Sequence, residues 1–279
     1  MRRAATVTLS VLALVASLAA CGGDDDASPG KPTQPTAKLP TLDILVTNDD
    51  DYAAPGIDAL VERLRALPGV KITVVAPATN QSGTSDRTTP GPVTGLTASE
   101  VTTASGYPAT AVAGFPADSV NYALDVLELS PDLVVSGSNA GQNLGVVAPI
   151  SGTIGAARTA VRRGYPGVAV SQGLGDPTDY SPSVDVAVQW IEVNRAALAG
   201  SADRSALLEV VNVNAPQCTV RGVATVPLAT APNAEPVDCE SRAAAGPDDA
   251  ASFAHGFATI TFLTAETQTV TSTTSWPAP

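Results

Sequence analysis

Residues 44–57 read ILVTNDDDYAAPGI, a short apolar run that meets three consecutive aspartates and then a proline. The apolar run predicts a buried β-strand, and the segment 55–67 (PGIDALVERLRAL) places its apolar side chains at helical spacing, so a helix should follow the turn. Three adjacent carboxylates repel one another. The stretch is therefore either a solvated turn or a cation site at which a metal ion relieves the repulsion.

Strand-like and helix-like segments alternate along the chain from residue 41 onward. Predicted strands cover 42–48, 71–77, 131–137, 167–171 and 207–214, and predicted helices cover 55–67, 116–129, 151–164 and 183–198. This alternation predicts an α/β fold with a Rossmann-like, doubly wound and mostly parallel sheet. Two more segments, at 221–229 and 255–263, also look like strands.

The composition narrows the class of partner. The chain has 279 residues, of which 44% are hydrophobic and 15% charged, and its formal net charge is -12. A nucleic-acid polymer is excluded as the main partner, because binding to a phosphate backbone needs a basic surface. A small phosphorylated ligand remains compatible, since a bound cation can reverse the local charge of a site. The single histidine, His255, excludes a histidine-rich metal site.

The first twenty residues have the features of an export signal. Arg2 and Arg3 precede an apolar stretch from 7 to 20, and the ending Leu-Ala-Ala-Cys at 18–21 resembles the bacterial lipobox. The lipobox predicts cleavage before Cys21 and lipidation of its sulfur, and the alternative is an ordinary signal peptide. Either reading predicts export, and the lipobox adds a lipid anchor on the outer side of the cell membrane, with no other membrane contact.

The remaining boundaries follow from composition. We expect a signal peptide at 1–20, a flexible tether at 21–40, one folded domain at 41–263 and a tail at 264–279. Cys218 and Cys239 lie in the expected domain, and outside the cytoplasm they are either a disulfide or two free thiols.

Polar residues cluster where the predicted strands end. Asp49 and Asp50 follow the first strand, Ser82 follows the second, and Asn139 follows the strand at 131–137. Ligands of doubly wound sheets bind beyond the carboxyl ends of the strands, so these side chains should converge. Carboxylate, hydroxyl and amide oxygens suit the hard cations Mg²⁺ or Mn²⁺.

The same motifs resemble a known family, the SurE family of metal-dependent nucleotidases, which have a Rossmann-like core. The resemblance covers residues 43–263, nearly all of the expected domain, and its motifs occur in the family's order. They are ILVTNDDDYAAPGIDAL (44–60), ITVVAPATNQSGTS (72–85), PDLVVSGSNAGQNLG (131–145), SGTIGAARTA (151–160) and VVNVNAP (210–216).

The resemblance implies roles for individual residues. It implies a metal site made by Asp49, Asp50, Ser82 and Asn139, occupied by Mg²⁺ or Mn²⁺. It also implies a phosphate site formed by Asn48, Asn143, Ser151, Gly152 and Thr153, and a catalytic group comprising Asp49, Asp50, Asn143 and Ser151. These residues also have purely structural alternatives. The asparagines could stabilise a glycine-rich turn, and Ser151 could serve as a helix cap without contacting phosphate.

The expected reaction is hydrolysis of a phosphomonoester, a nucleoside monophosphate by resemblance, through metal-assisted attack of water on phosphorus. A covalent intermediate on Asp49 is an alternative, and the residues do not identify the general base. The resemblance also implies a homodimer or higher homo-oligomer, and it implies that the strand-like segments at 221–229 and 255–263 form a C-terminal β extension involved in dimer formation. The competing function is a catalytically weakened lipoprotein that only binds a phosphate ester or a metal. A solute-binding lipoprotein is a third reading, although the chain shows no internal duplication.

Two positions depart from the family pattern. A glycine normally follows the aspartate pair, and this chain has Asp51. A glycine there indicates a backbone with positive φ or a close approach to the metal, and an aspartate adds charge. The segment VVAPI (146–150) is more apolar than is usual in the family, so substrate preference could have shifted.

Overall fold

Nine strands in a single sheet organise the part of the chain that the computed structural model describes, residues 39–199, 207–230 and 236–265. The strands are β1 Leu42–Thr47, β2 Val70–Pro77, β3 Ala98–Thr102, β4 Pro108–Val112, β5 Leu133–Ala140, β6 Gly167–Gln172, β7 Val210–Ala215, β8 Val223–Thr225 and β9 Ala258–Leu263. The helices are α1 Pro55–Arg65, α2 Pro116–Asp125, α3 Gly152–Arg162, α4 Ser181–Leu198 and α5 Asp249–Ala254.

The sheet has the order β3-β4-β2-β1-β5-β6-β7-β9-β8. Strands β4, β2, β1, β5, β6 and β7 run parallel, whereas β3 is antiparallel to β4 and β9 is antiparallel to β7. The chain builds outward from β1 through β2 and then returns to β5 on its other side. The crevice between β1 and β5 is therefore the topological switch point, where ligands of such sheets bind.

Helices cover both faces of the parallel strands, which explains why those strands are apolar on both sides. Successive residues of β1 point to opposite faces: Ile44 belongs to the cluster that packs with α1 and α4, and Leu45 belongs to the cluster that packs with α2 and α3. Both side chains are at most 2% exposed. The burial on two sides fixes the register of β1, and with it the position of the aspartates that follow.

The predicted fold class and the C-terminal strands are confirmed. The extension does not form a separate layer, because β9 pairs with β7 and β8 pairs with β9 at the edge of the main sheet. The β3–β4 hairpin was not predicted from the sequence. Helix α2 ends at Asp125, earlier than the predicted residue 129, and Glu128 has a φ of 51°, which a continuing helix does not allow.

The predicted signal peptide, Cys21, most of the tether and most of the tail lie outside the described residues. Within the described ranges, none of the helices combines the length and the apolar character needed to cross a membrane. Cys218 and Cys239 form a disulfide, with their Cα atoms 6.0 Å apart.

Candidate active site

Asp49 is the buried centre of the site, immediately beyond β1. Its side chain is 2% exposed, and its Oδ1 accepts a 2.6 Å hydrogen bond from the hydroxyl of Thr153, at the first turn of α3. Gly152 makes room for this approach, since a Cβ atom there would lie 2.8 Å from the Oδ2 of Asp49. The start of α3 is thus packed directly against the first aspartate, and its positive end faces a negative charge.

Asp50 connects β1 to the two neighbouring loops. Its Oδ2 accepts a 3.1 Å bond from the backbone N–H of Ala140, at the end of β5, and its Oδ1 accepts a 3.2 Å bond from the amide of Asn80. Asp50 is half-buried. The second aspartate therefore lies in the crevice between β1 and β5, as the switch-point rule predicts.

Ser82 is carried to this edge by the loop that follows β2. The N–H of Gln81 donates to the backbone carbonyl of Asp49 at 2.7 Å, and the N–H of Ser82 donates to the Oδ1 of Asn80 at 3.0 Å. Ser82 itself is exposed. The loop is thus tied to both aspartates, and it places the serine at the open side of the site.

The two predicted asparagines occupy different environments. Asn139 is half-buried at the end of β5, and its amide donates to the carbonyl of Gly141 at 2.7 Å. Asn143 is 5% exposed, and its amide donates to the hydroxyl of Ser171 at 2.9 Å and to that of Thr153 at 3.3 Å. Asn139 therefore borders the crevice, whereas the amide of Asn143 braces the start of α3.

Ser151 is the N-cap of α3, because its Oγ accepts a 3.2 Å bond from the N–H of Ile154. This bond uses an oxygen lone pair, so the O–H proton of Ser151 is left to donate elsewhere. The Thr153 hydroxyl donates to Asp49 instead. Of these two hydroxyls, Ser151 is the one that can donate to a substrate without breaking a bond of the site.

The third aspartate of the triplet has a different role from the first two. Asp51 has a φ of 106°, in the region that favours glycine, and its Oδ1 accepts a 2.7 Å bond from the N–H of Ala53. The amide of Asn48, which is fully buried, donates to the Asp51 carbonyl at 2.7 Å. Asp51 and Asn48 thus shape the turn, and the Asp51 carboxylate is used within that turn.

Burial makes the aspartate pair electrostatically unfavourable without a cation. Burial raises the pKa of Asp49 to about 6, with the neighbouring Asp50 charge adding to the rise and the Thr153 bond opposing it. Burial also raises the pKa of Asp50, and the charge of Asp51 adds to that rise. Within the described part of the chain, neither Asp49 nor Asp50 forms a salt bridge.

A hard divalent cation fits this donor set. The buried Asp49 and the half-buried Asp50 have no salt-bridge partner among the described residues. With a serine hydroxyl and an asparagine amide at the same edge, they supply the oxygen ligands and the negative charge that Mg²⁺ or Mn²⁺ requires. The fully buried Oδ1 of Asn48 also has no hydrogen-bond partner among the described residues. No cluster of three or more His, Cys, Asp or Glu side chains occurs among the described residues, so a cation here would rely on the serine and asparagine oxygens.

Sequence reasoning missed two neighbours of the site. Tyr180 precedes α4, and burial, together with the charge of Asp50, raises the pKa of its phenol. Asp249, on α5, is fully buried and accepts bonds from the N–H groups of Gly145, at 2.9 Å, and Ala229, at 2.7 Å. It joins the C-terminal extension to the loop that follows Asn143. Neither residue lies in a recognisable motif.

Two known proteins with similar sequences carry the same name. A 5'-nucleotidase SurE of Methanopyrus kandleri is 40% identical over 179 residues, which is 62% of this chain and 66% of that protein. A 5'-nucleotidase SurE of Halobacterium salinarum is 42% identical over 183 residues, which is 62% of this chain and 65% of that protein. The chain thus matches slightly less than two thirds of the length of each relative.

A solved structure and a family pattern extend the comparison. The crystal structure of the SurE protein from Aquifex aeolicus superimposes with a TM-score of 0.65 at 26% identity, covering 80% of this chain and 94% of that one. Residues 44–235 match the family described as Survival protein SurE. This range includes both aspartates of the site and the start of α3. The chain therefore belongs to the SurE family.

Proposed function

We propose that this protein is a metal-dependent phosphomonoesterase that hydrolyses nucleoside monophosphates. The observation that carries the proposal is the Asp49–Asp50 pair, which has no salt-bridge partner within the described residues. Asp49 is buried against the start of α3, and Asp50 is half-buried next to it in the chain. The relatives named 5'-nucleotidase SurE support the choice of substrate.

Four residues would hold the metal ion: Asp49, Asp50, Ser82 and Asn139. A bound Mg²⁺ or Mn²⁺ supplies Lewis-acid chemistry, polarising a phosphoryl oxygen and lowering the pKa of a water molecule. The protein keeps the two carboxylates in place beforehand, because Thr153 fixes Asp49 and the backbone N–H of Ala140 fixes Asp50. Catalysis of this kind depends on such preorganised charge.

The phosphate would lie at the start of α3, where a helix N-terminus favours an anion. Ser151 has a hydroxyl proton to donate to a phosphate oxygen. Asn143 and Thr153 act mainly on the protein, since the amide of the first donates to the hydroxyl of the second, and that hydroxyl donates to Asp49. We therefore assign the direct phosphate contact to Ser151 and a positioning role to Asn143 and Thr153.

Asp51 in place of the family glycine is the feature that would favour the competing function, a binding protein that has lost catalysis. Asp51 adopts the positive φ that a glycine would adopt, and its carboxylate bonds to Ala53. The substitution thus leaves the turn intact and does not favour loss of catalysis.

The test is phosphate release from nucleoside monophosphates by the purified protein, with and without Mg²⁺ or Mn²⁺. We expect activity that a chelator abolishes and either ion restores, and a loss of at least ~100-fold in Asp50→Asn. Asp43→Asn is the matched control, because Asp43 is exposed at the opposite end of β1. Full activity in chelated protein would exclude the metal, and no release with any divalent ion would favour the binding protein.

We also propose that the protein is exported, lipidated on Cys21, and assembled as a homodimer or higher homo-oligomer. The lipobox-like sequence and the family resemblance support these assignments. Mass spectrometry of membrane-extracted protein would detect a lipid on the residue at position 21, and Cys21→Ser would remove it. Light scattering of the purified protein gives the mass of the assembly, and a monomeric mass would reject the oligomer.

A further inference from the structure

Leu174 stands out at the edge of the candidate active site. Its side chain is 70% exposed, more than any other large hydrophobic side chain in the described ranges. A Cβ atom placed on Gly141 would lie 3.7 Å from the Cδ2 of Leu174 and 3.9 Å from the Nδ2 of Asn139. The exposed leucine and the candidate metal ligand therefore border the same glycine.

Two glycines hold the backbone of Leu174 in place. A Cβ atom on Gly173 would lie 2.9 Å from the ring of Phe253, and one on Gly175 would lie 2.6 Å from the Cγ of Gln217. The N–H of Gly173 also donates to the carbonyl of Ala215 at 2.8 Å. The loop can pack this closely only because both positions lack a side chain, and the packing presents Leu174 outward from a fixed backbone.

A cavity of about 340 Å³ lies beside this leucine, a volume in the lower range of small-molecule sites. Its lining includes Gln142, Leu174, Gln217, Val237, Cys239 and Phe253. Gln142 directly precedes Asn143, so one wall of the cavity belongs to the turn that also carries the candidate site residues.

The chemistry of the cavity differs from that of the phosphate site. Leu174, Val237 and Phe253 supply apolar surface, and the primary amide of Gln142 supplies a donor and an acceptor. Among the described residues, no Lys or Arg lines the cavity. A phosphate would find no cationic side chain there. A flat heteroaromatic ring, with apolar faces and a hydrogen-bonding edge, matches both kinds of surface.

We propose that this cavity is the subsite for the nucleobase of the substrate, with Leu174 packing on the base and Gln142 bonding to its edge; the inference rests on the proposed nucleotidase function. The Cys218–Cys239 disulfide holds the outer wall, because Cys239 lines the cavity and Cys218 follows Gln217, which lines it as well.

The first test compares two substrates that share the same phosphate ester, adenosine 5'-monophosphate and ribose 5-phosphate. In the unaltered protein, kcat/KM for the nucleotide should exceed that for the sugar phosphate by about tenfold or more. Leu174→Ala should lower that ratio by about fivefold, through a lower kcat/KM for the nucleotide. Leu39→Ala is the control, since Leu39 is also exposed but precedes β1 at the opposite edge of the sheet.

The second test measures binding of adenosine, which carries no phosphate, by equilibrium dialysis. Adenosine should bind the unaltered protein, and both Leu174→Ala and the double variant Cys218→Ser/Cys239→Ser should bind it more weakly. Hydrolysis of both substrates with an unchanged ratio in Leu174→Ala would overturn the subsite alone. If neither substrate is hydrolysed, the proposed function is overturned. In that case, adenosine binding that is insensitive to Leu174→Ala would overturn the subsite as well.

Discussion

Replacing Asp51 tests whether the third aspartate is a metal ligand or a turn residue. Asp51 has a φ of 106°, and its Oδ1 accepts a hydrogen bond from the N–H of Ala53. Glycine would relieve about 1–2 kcal/mol of backbone strain. Glycine would also destabilise the folded state in two ways: it removes a hydrogen bond worth about 1 kcal/mol, and it raises the conformational entropy of the unfolded chain, which costs about 0.4–1 kcal/mol. Asp51→Gly should therefore change the free energy of unfolding by less than about 1 kcal/mol.

Asp51→Asn separates the charge from the backbone. The asparagine oxygen can still accept from Ala53, and asparagine tolerates positive φ better than most residues, so stability should again change by less than about 1 kcal/mol. Affinity for Mn²⁺ should fall by only a fewfold in both variants, because the Asp51 charge is not in contact with the ion and solvent partly screens the interaction between them.

Urea unfolding measures the stability of these variants, and calorimetric titration with Mn²⁺ measures their affinity. The titration also needs Asp50→Asn as a positive control, for which the loss should be at least ~100-fold if Asp50 is a ligand. A loss of similar size in Asp51→Asn would refute the argument, because it would show that the third carboxylate reaches the ion.

Three further changes probe the parts that hold the site together. Thr153→Val removes the 2.6 Å bond to the buried Asp49 carboxylate, and since such bonds contribute about 1.5–3 kcal/mol, kcat/KM should fall by ~10- to 100-fold in a steady-state assay. Asp249→Asn should change the pH dependence of thermal stability: burial raises the pKa of Asp249, so its contribution to stability is greatest below the unfolded pKa and declines as pH rises through the folded pKa. Gly155→Ala should lower the free energy of unfolding by about 1–3 kcal/mol in urea, because its Cβ would overlap the Ser85 carbonyl.

Each of these changes has a control or a contrary result. Thr153→Ser keeps the hydroxyl and should retain most activity, and equal losses in both variants would reject the hydrogen bond as the cause. For Asp249, a difference in stability between the two proteins that does not vary with pH would contradict the assigned pKa direction. Gly95→Ala is the control for Gly155, because no atom lies within 4 Å of the added Cβ, and equal destabilisation by both would exclude the overlap.

The centre of the site could be predicted because its residues follow regular patterns. The apolar run of β1 ends at Thr47, so Asp49 and Asp50 had to emerge at the carboxyl edge of a parallel sheet. Ser151 directly precedes a segment with helical spacing of apolar residues, which predicts an N-cap, and in the structure its Oγ does cap α3.

The rest of the site could not be predicted, because it depends on segments without periodicity. Tyr180 interacts electrostatically with Asp50 from a loop rich in Gly, Asp and Pro, and Asp249 binds Gly145 from beyond the matched motifs. The β3–β4 hairpin was missed because β3 is an edge strand without a buried residue, so its sequence lacks the alternation that marks a half-buried strand. In each case tertiary contacts determine the position, and no local pattern encodes them.

The hydrogen bonds that assemble the aspartate pair also have a consequence for folding. Thr153 and Asp49 are 104 residues apart in the chain, and Ala140 and Asp50 are 90 apart. Contacts this distant require long loops to close, which slows their formation relative to local helices and hairpins. An ion that needs both loops binds only the completed fold and stabilises it by mass action. The rate at which a refolding chain gains affinity for Mn²⁺ should therefore report the closing of β5 onto β1.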